Sequence, residues 1–314
     1  TEGVRGWGIP MATDIAFSLG ILALLGSRAP LSLKVFLTAF AIVDDLGAVF
    51  VIALFYTESI AWMYVGLGGS VLIALVLLNI LGVRNIFIFI GLGIIVWFSF
   101  MQSGIHSTIA GVALAATIPL NVRLDFQQFV IKVKGLIRHF EQRGDTGPRV
   151  LTTPHQKQIL EELARASKDV ESPLQRLEHS IHPWVTFLIM PLFALANAGV
   201  VLGGNLIQTI FEPVAFGIIL GLVIGKPVGI FLFTWLSIRF GIGRMAEDIG
   251  WLHILGVSLL GGVGFTMSLF IAELAFTSAE YSSQSKTAIL LASLIAGLSG
   301  YFLLRLFNSN INRS

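Results

Sequence analysis

The sequence predicts an all-α, polytopic membrane protein, and three observations carry that expectation. Apolar runs of about 15–27 residues recur along the whole chain, long enough to cross a bilayer as helices. Only 12% of the 314 residues are charged, against about 25% in a soluble domain, and mean hydropathy is +0.86. Basic residues, finally, gather in alternate connections between the runs, as the positive-inside rule requires of a chain that threads a membrane repeatedly.

Nine runs read as spans: 2–25, 33–56, 61–82, 86–100, 104–120, 181–197, 212–238, 250–276 and 286–307. Arg28 and Lys34 follow the first, Arg84 the third, Arg239 and Arg244 the seventh, and Arg305 and Arg313 close the chain. The opposite side holds only Arg5 and Lys286. The basic connections and the C-terminus are therefore expected in the cytoplasm. The chain opens on Thr1 rather than Met, without an export signal, which is the expectation for a truncated start.

The spans divide the chain. Residues 1–120 hold transmembrane helices, 121–180 a polar cytoplasmic linker, and 181–314 transmembrane helices again. In the linker, Phe126, Phe129, Val130, Val133, Ile137 and Phe140 recur at helical spacing, with Lys132, Lys134 and Arg138 between them. That is a basic amphipathic helix suited to an anionic leaflet, or a solvated linker with some helix. A break at Gly144–Pro154 precedes a second, charged helix from Gln156 to Val170.

The first span carries Pro10-Met11-Ala12-Thr13-Asp14 at its middle. Proline lacks a backbone donor and Thr and Asp compete for backbone bonds, so the helix should break there. Gly261-Gly262-Val263-Gly264-Phe265-Thr266 predicts a second break midway through the eighth span. Broken helices at membrane depth line cavities or pack in protein. The two spans run in opposite directions by parity, and an intact helix follows each, the trace of an inverted repeat with crossed half-helices. Close helix packing through the glycines is the alternative for the second.

Asp44 and Asp45 lie mid-way in the second span. An Asp at the centre of a spanning helix costs roughly 2.5–3.5 kcal/mol, and intramembrane carboxylates mark ion or proton sites. Adjacent helical positions diverge by about 100°, so both can border one cavity without pointing the same way. Treated as one coupled titration, the pair can hold a proton or release it and take a cation. Lys226, within Gly225-Lys226-Pro227 of the seventh span, needs a carboxylate partner. Asp44, Asp45 and Asp14 are available. His182 stands at the start of the sixth span, with Glu178 about one turn before it and His179 between them; imidazole titrates near neutrality, so they are candidates for reporting pH. His106 and Glu273 rank below them.

The absence of cysteine excludes a disulfide framework, a zinc-thiolate site and a thiol nucleophile. An intramembrane aspartyl protease also uses two buried aspartates, but on separate helices, one within Gly-x-Gly-Asp, and that motif is absent here. Coupled buried charges also speak against a passive channel. A sodium-coupled symporter of similar architecture remains the alternative to antiport.

Several segments closely resemble the NhaA family of bacterial Na⁺/H⁺ antiporters. They are Gly8-Ile9-Pro10-Met11-Ala12-Thr13-Asp14-Ile15-Ala16-Phe17, Ala41-Ile42-Val43-Asp44-Asp45-Leu46-Gly47-Ala48, Ser103-Gly104-Ile105-His106-Ser107-Thr108, Leu177-Glu178-His179-Ser180-Ile181-His182-Pro183-Trp184, Gly225-Lys226-Pro227 and Gly262-Val263-Gly264-Phe265-Thr266-Met267-Ser268. The family is itself a standing example of the inverted-repeat transporter. The resemblance implies a twelve-helix inner-membrane protein of which this chain carries the last nine helices, with a dimer formed through the part outside it. It implies Asp45 as the principal Na⁺, Li⁺ and proton carboxylate, joined by Asp44 and by Thr13 as ion ligands. Asp44 would pair with Lys226 in one state, Lys226 and Asp14, with Thr13, would offset half-helix charges at the crossing, and Glu178, His179 and His182 would take part in pH activation. Exchange would be electrogenic, with Na⁺ leaving at the expense of the proton gradient. No cofactor is expected, and the partners are Na⁺, Li⁺, H⁺ and the lipid bilayer, with no nucleic acid.

Overall fold

The computed structural model describes residues 2–56, 60–122, 125–142, 154–197, 199 and 206–311. Among them the chain is all helical. A 3₁₀ helix, Glu2–Met11, leads to α1 (Ile15–Leu24) and α2 (Leu31–Phe55). Next come α3 (Trp62–Ile80), α4 (Ile86–Ser103), α5 (Ser107–Thr117), α6 (Phe126–Gln142), α7 (Pro154–Val170) and α8 (Pro173–Trp184). After α8 follow a π-helical turn at Val185–Ile189 and α9 (Met190–Asn197). The chain closes with α10 (Leu206–Phe211), α11 (Pro213–Leu220), a second π-helical turn at Gly221–Gly225, α12 (Lys226–Arg239), α13 (Trp251–Gly261), α14 (Phe265–Ala275) and α15 (Ala279–Ile311).

Six helical runs among the described residues are long and apolar enough to cross a membrane: Leu31–Phe55, Trp62–Ile80, Ile86–Ser103, Pro173–Asn197, Pro213–Arg239 and Ala279–Leu306. Two bent pairs add to them. Gly3–Met11 with Ile15–Leu24 bends by 43°, and Trp251–Gly261 with Phe265–Ala275 by 41°. The fifth apolar run, 104–120, forms the shorter α5. The protein is thus a multi-pass membrane protein. Its last helix starts at Ala279 rather than at 286, because polar residues such as Ser282, Gln284 and Lys286 extend a helix without being apolar.

Contacts divide the chain into two units, Thr1–Thr57 with Thr186–Ser314, and Glu58–Val185. In the second unit α3, α4 and α5 pack on one another around Leu75, Phe89, Val96 and Ala110. Gly104, at φ 81°, ends α4 in the left-handed region that favours glycine. His106 then caps α5, its ring accepting from Thr108 N. Ser172 and Gln175 form a capping box at the start of α8, with Pro173 in the first turn. The amphipathic α6 packs against α7. Phe129, Val130, Val133, Leu136 and Phe140 are half-buried on it while Ile131 and Ile137 stay exposed, and α7 buries Ile159 and Ala166 in turn. Most of the expected break at Gly144–Pro154 lies outside the described residues; Pro154 opens α7.

In the first unit one core gathers Ile9 and Ala12 with Ala48 and Ile52 of α2, Leu222, Leu269 and Ile271 of α14, and Ile289 and Ala292 of α15. It surrounds both bends. In lipid, close packing and hydrogen bonding rather than water exclusion hold helices together, so the polar groups at the bends take on unusual weight.

Candidate functional site

Both bends are non-helical joints, residues 12–14 and 262–264, and each exposes the orphan groups of two helix ends. The joints lie against each other and satisfy several of those groups reciprocally. Asp14 N donates to Val263 O at 2.7 Å. Ser18 Oγ donates to Leu260 O at 2.9 Å, and Ser268 Oγ to Ile9 O at 2.8 Å. The Asp14 side chain, fully buried, serves two helix N-termini at once. Its Oδ1 accepts from Phe17 N at 3.0 Å, capping α1. Its Oδ2 accepts from Thr266 N at 3.0 Å and from the Thr266 hydroxyl, capping α14. A carboxylate there also faces the positive ends of two helix dipoles.

The opposite ends carry bare carbonyls. Thr13 Oγ1 lies 2.9 Å from Gly261 O, the end of α13, and 2.8 Å from Asp44 Oδ2. One hydroxyl proton can serve only one of them at a time. Lys226 Nζ donates to Met11 O, the end of the first half-helix, at 2.5 Å, and to Asp44 Oδ2 at 2.7 Å. This ion pair is largely shielded, with side-chain exposures of 8% for Lys226 and 15% for Asp44. Removing one member of such a pair costs about 3–5 kcal/mol, because the other charge is left buried alone. A cavity of about 890 Å³ borders the pair, with Met11, Phe40, Asp44, Lys226, Thr234 and Arg244 among its lining residues.

Asp45 is not among the residues that line that cavity, in keeping with the divergence of neighbouring helical positions. Its Oδ1 is buried without a hydrogen-bond donor among the described residues. A buried carboxylate oxygen in that condition is a costly feature unless a proton or cation visits it. Asp45 Oδ1, Asp44 and Thr13 Oγ1 are hard oxygen donors, the type that suits an alkali cation at an unwound helix. The two aspartates share one helix, which does not fit the protease arrangement.

Thr13, Asp44 and Lys226 thus form one bonded cluster, Asp14 belongs to the separate network that caps the two joints, and Asp45 lies on the next face of α2. Glu178, His179 and His182 lie exposed on α8, in the other unit. Sequence reasoning missed the carbonyls of Met11 and Gly261 and the side chains of Ser18, Thr266, Ser268 and Ser293. Ser293 Oγ accepts from Phe265 N at 3.1 Å, a second cap on α14. Isolated hydroxyls in apolar runs beside a predicted break were the available signal.

Comparison with known proteins gives concordant findings. The profile of the family described as Na⁺/H⁺ antiporter 1 matches residues 1–304. The chain is 46% identical over 302 residues to Na(+)/H(+) antiporter NhaA 1 of Saccharophagus degradans, covering 96% of this chain and 65% of that protein. It is 47% identical over 302 residues to Na(+)/H(+) antiporter NhaA of Wolinella succinogenes, covering 96% and 67%. With the same-named protein of Syntrophobacter fumaroxidans it shares 48% over 299 residues, covering 94% and 63%. The chain spans about two thirds of the length of these relatives.

Proposed function

The chain belongs to the Na⁺/H⁺ antiporter 1 family, and on that premise we propose that the full protein exchanges Na⁺ for H⁺ by alternating access around Asp45, Asp44, Lys226, Asp14 and Thr13. The observation that carries the reading is the unequal state of two adjacent carboxylates. Asp44 is held by Lys226 at 2.7 Å, while Asp45 keeps a buried oxygen with no described donor.

Asp45 alternates between protonated and cation-bound forms, since one carboxylate oxygen cannot hold both. When Na⁺ arrives, Asp44 and the Thr13 hydroxyl turn their oxygens to it, and Lys226 gives up Asp44 while keeping the Met11 carbonyl. When protons return, the ion leaves and the Lys226–Asp44 pair re-forms. Asp14 neutralises the two helix N-termini throughout and Lys226 the facing carbonyl end, so the joints tolerate the changing charge. Once Asp44 turns to the ion, the buried Lys226 sheds its proton as a second beside that of Asp45 and regains it when the pair re-forms, so more protons than Na⁺ move in each cycle and exchange is electrogenic; Li⁺ substitutes for Na⁺. The two bent spans are members of inverted repeats, and the full protein is a dimer in the bacterial inner membrane with its basic loops and C-terminus cytoplasmic. The relatives named above are antiporters and lend the symporter alternative no support.

Transport by the full-length protein in proteoliposomes tests this. Because H⁺ and Na⁺ compete, apparent KM for Na⁺ should rise about tenfold per pH unit of acidification for each proton displaced. A KM independent of pH, or Na⁺-driven uptake of an organic anion, would refute competition at one site. Glu178, His179 and His182 are proposed to set activation from α8. His182→Ala should move the pH of half-maximal activity, and an unaltered profile removes α8 from that role.

A further inference from the structure

Helices α11 and α12 form one run from Pro213 to Arg239, interrupted by the wide, π-helical turn Gly221–Gly225. Lys226 N–H donates to Gly221 O, five residues back, whereas α-helical winding would give it to Leu222 O. The next residue, Pro227, has no N–H to offer. Leu222 O thereby loses its α-helical donor, the Lys226 N–H, and the π-helical one that residue 227 would otherwise supply.

The turn is wedged between the two joints. A Cβ added to Gly262 would sit 2.3 Å from Leu222 O, so that carbonyl rests on the backbone of the second joint. A Cβ on Gly221 would sit 2.8 Å from the Pro10 ring, beside the first. The first residue after the turn is Lys226.

We propose that Pro227 is a positioning residue: it locks the wide turn and so aims Lys226 at Asp44 and the Met11 carbonyl. The inference rests on the reading of Lys226 as the exchanging partner of Asp44. Its physical basis is register. A wide turn accommodates one residue more than regular winding. Rewinding it as α-helix would rotate Lys226 against α11 by about 100°, taking the ammonium off Asp44 or Gly221 off Pro10. Proline holds the turn open, because its ring clashes with the carbonyl four residues back, that of Val223, in a regular helix.

The carboxylates acting on Lys226 are Asp44, in direct contact, and Asp45, both on α2, and Arg244 lines the same cavity. On α13, which packs along α12, the one titratable side chain is His253, held at the first turn by Gly250 N–H. On α15, which packs on the wide turn, Lys286 is paired with Glu273, and Glu280 and Arg305 lie toward the ends.

The test uses the full-length protein in proteoliposomes, with wild type, P227A, K226A and the double variant. P227A should shift the midpoint of the pH profile in the direction of K226A, by at least half as much. In the K226A background P227A should add no shift, since its action runs through Lys226. Combining P227A with deletion of Val223 removes the surplus residue, returns Lys226 to its original bearing on a regular helix, and should restore the profile. An unchanged P227A profile, a P227A shift that persists in K226A, or absence of rescue overturns the inference. A cryo-EM structure of P227A reads the geometry directly: Lys226 should leave Asp44, and a retained 2.7 Å pair overturns the inference whatever the transport result. Wild-type protein that exchanges no Na⁺ for H⁺ would instead defeat the functional reading.

Discussion

Asp45→Asn in the full-length protein is expected to lower Na⁺-dependent collapse of ΔpH in inverted vesicles at least ~100-fold, equivalent to about 2.7 kcal/mol. The amide preserves the size of the side chain and its place on α2. It offers no exchangeable proton and no net negative charge for a cation, so both half-reactions are lost together. Asn is also a milder occupant of an apolar helix than Asp, and the variant should fold at least as well as the parent. Loss of transport with retained thermal stability separates a transport role from a packing one. Retained exchange would remove Asp45 from the centre of the mechanism.

The second large effect is expected on stability. Asp14→Ala deletes the acceptors of Phe17 N, Thr266 N and the Thr266 hydroxyl in a fully buried setting. Leaving those donors orphaned costs about 1–3 kcal/mol each, offset in part because the buried charge is removed as well. A net loss of about 2–5 kcal/mol corresponds to a fall in Tm of roughly 5–15 °C, measured in detergent on the full-length protein. Asp14→Asn keeps one carbonyl acceptor and should fall between the two. Equal Tm for all three proteins would contradict the view that this side chain caps both joints.

The sequence made the breaks and the charges legible for one reason: lipid penalises both. Pro10 to Asp14 and Gly261 to Thr266 stood out because helix-disfavouring residues rarely interrupt apolar runs. Asp44, Asp45 and Lys226 stood out because charge at that depth demands a partner. The residues alone did not say which carboxylate Lys226 takes, since Asp14, Asp44 and Asp45 were all within reach; only the family resemblance pointed to Asp44. The structure selects Asp44, the member of the pair whose side of α2 lines the cavity with Lys226. Main-chain partners such as Met11 O and Gly261 O were hidden because every residue carries a carbonyl. The wide turn at Gly221–Gly225 was hidden for a related reason: hydropathy records side chains, whereas a π-helical register is a choice among backbone acceptors. Pro227 was its one trace. The start of α15 was set too late because apolar character marks the membrane core of a helix, not its polar ends.

The account depends on protons and Na⁺ competing for one carboxylate site, and purified full-length protein allows that to be observed without a membrane. Adding Na⁺ to protein in weakly buffered detergent solution should release protons. The release should be large on the acid side of the activation range, shrink as pH rises and the site empties of protons, and vanish in the Asp45→Asn variant. Proton release that is absent at every pH in wild type, or undiminished in Asp45→Asn, would contradict the account.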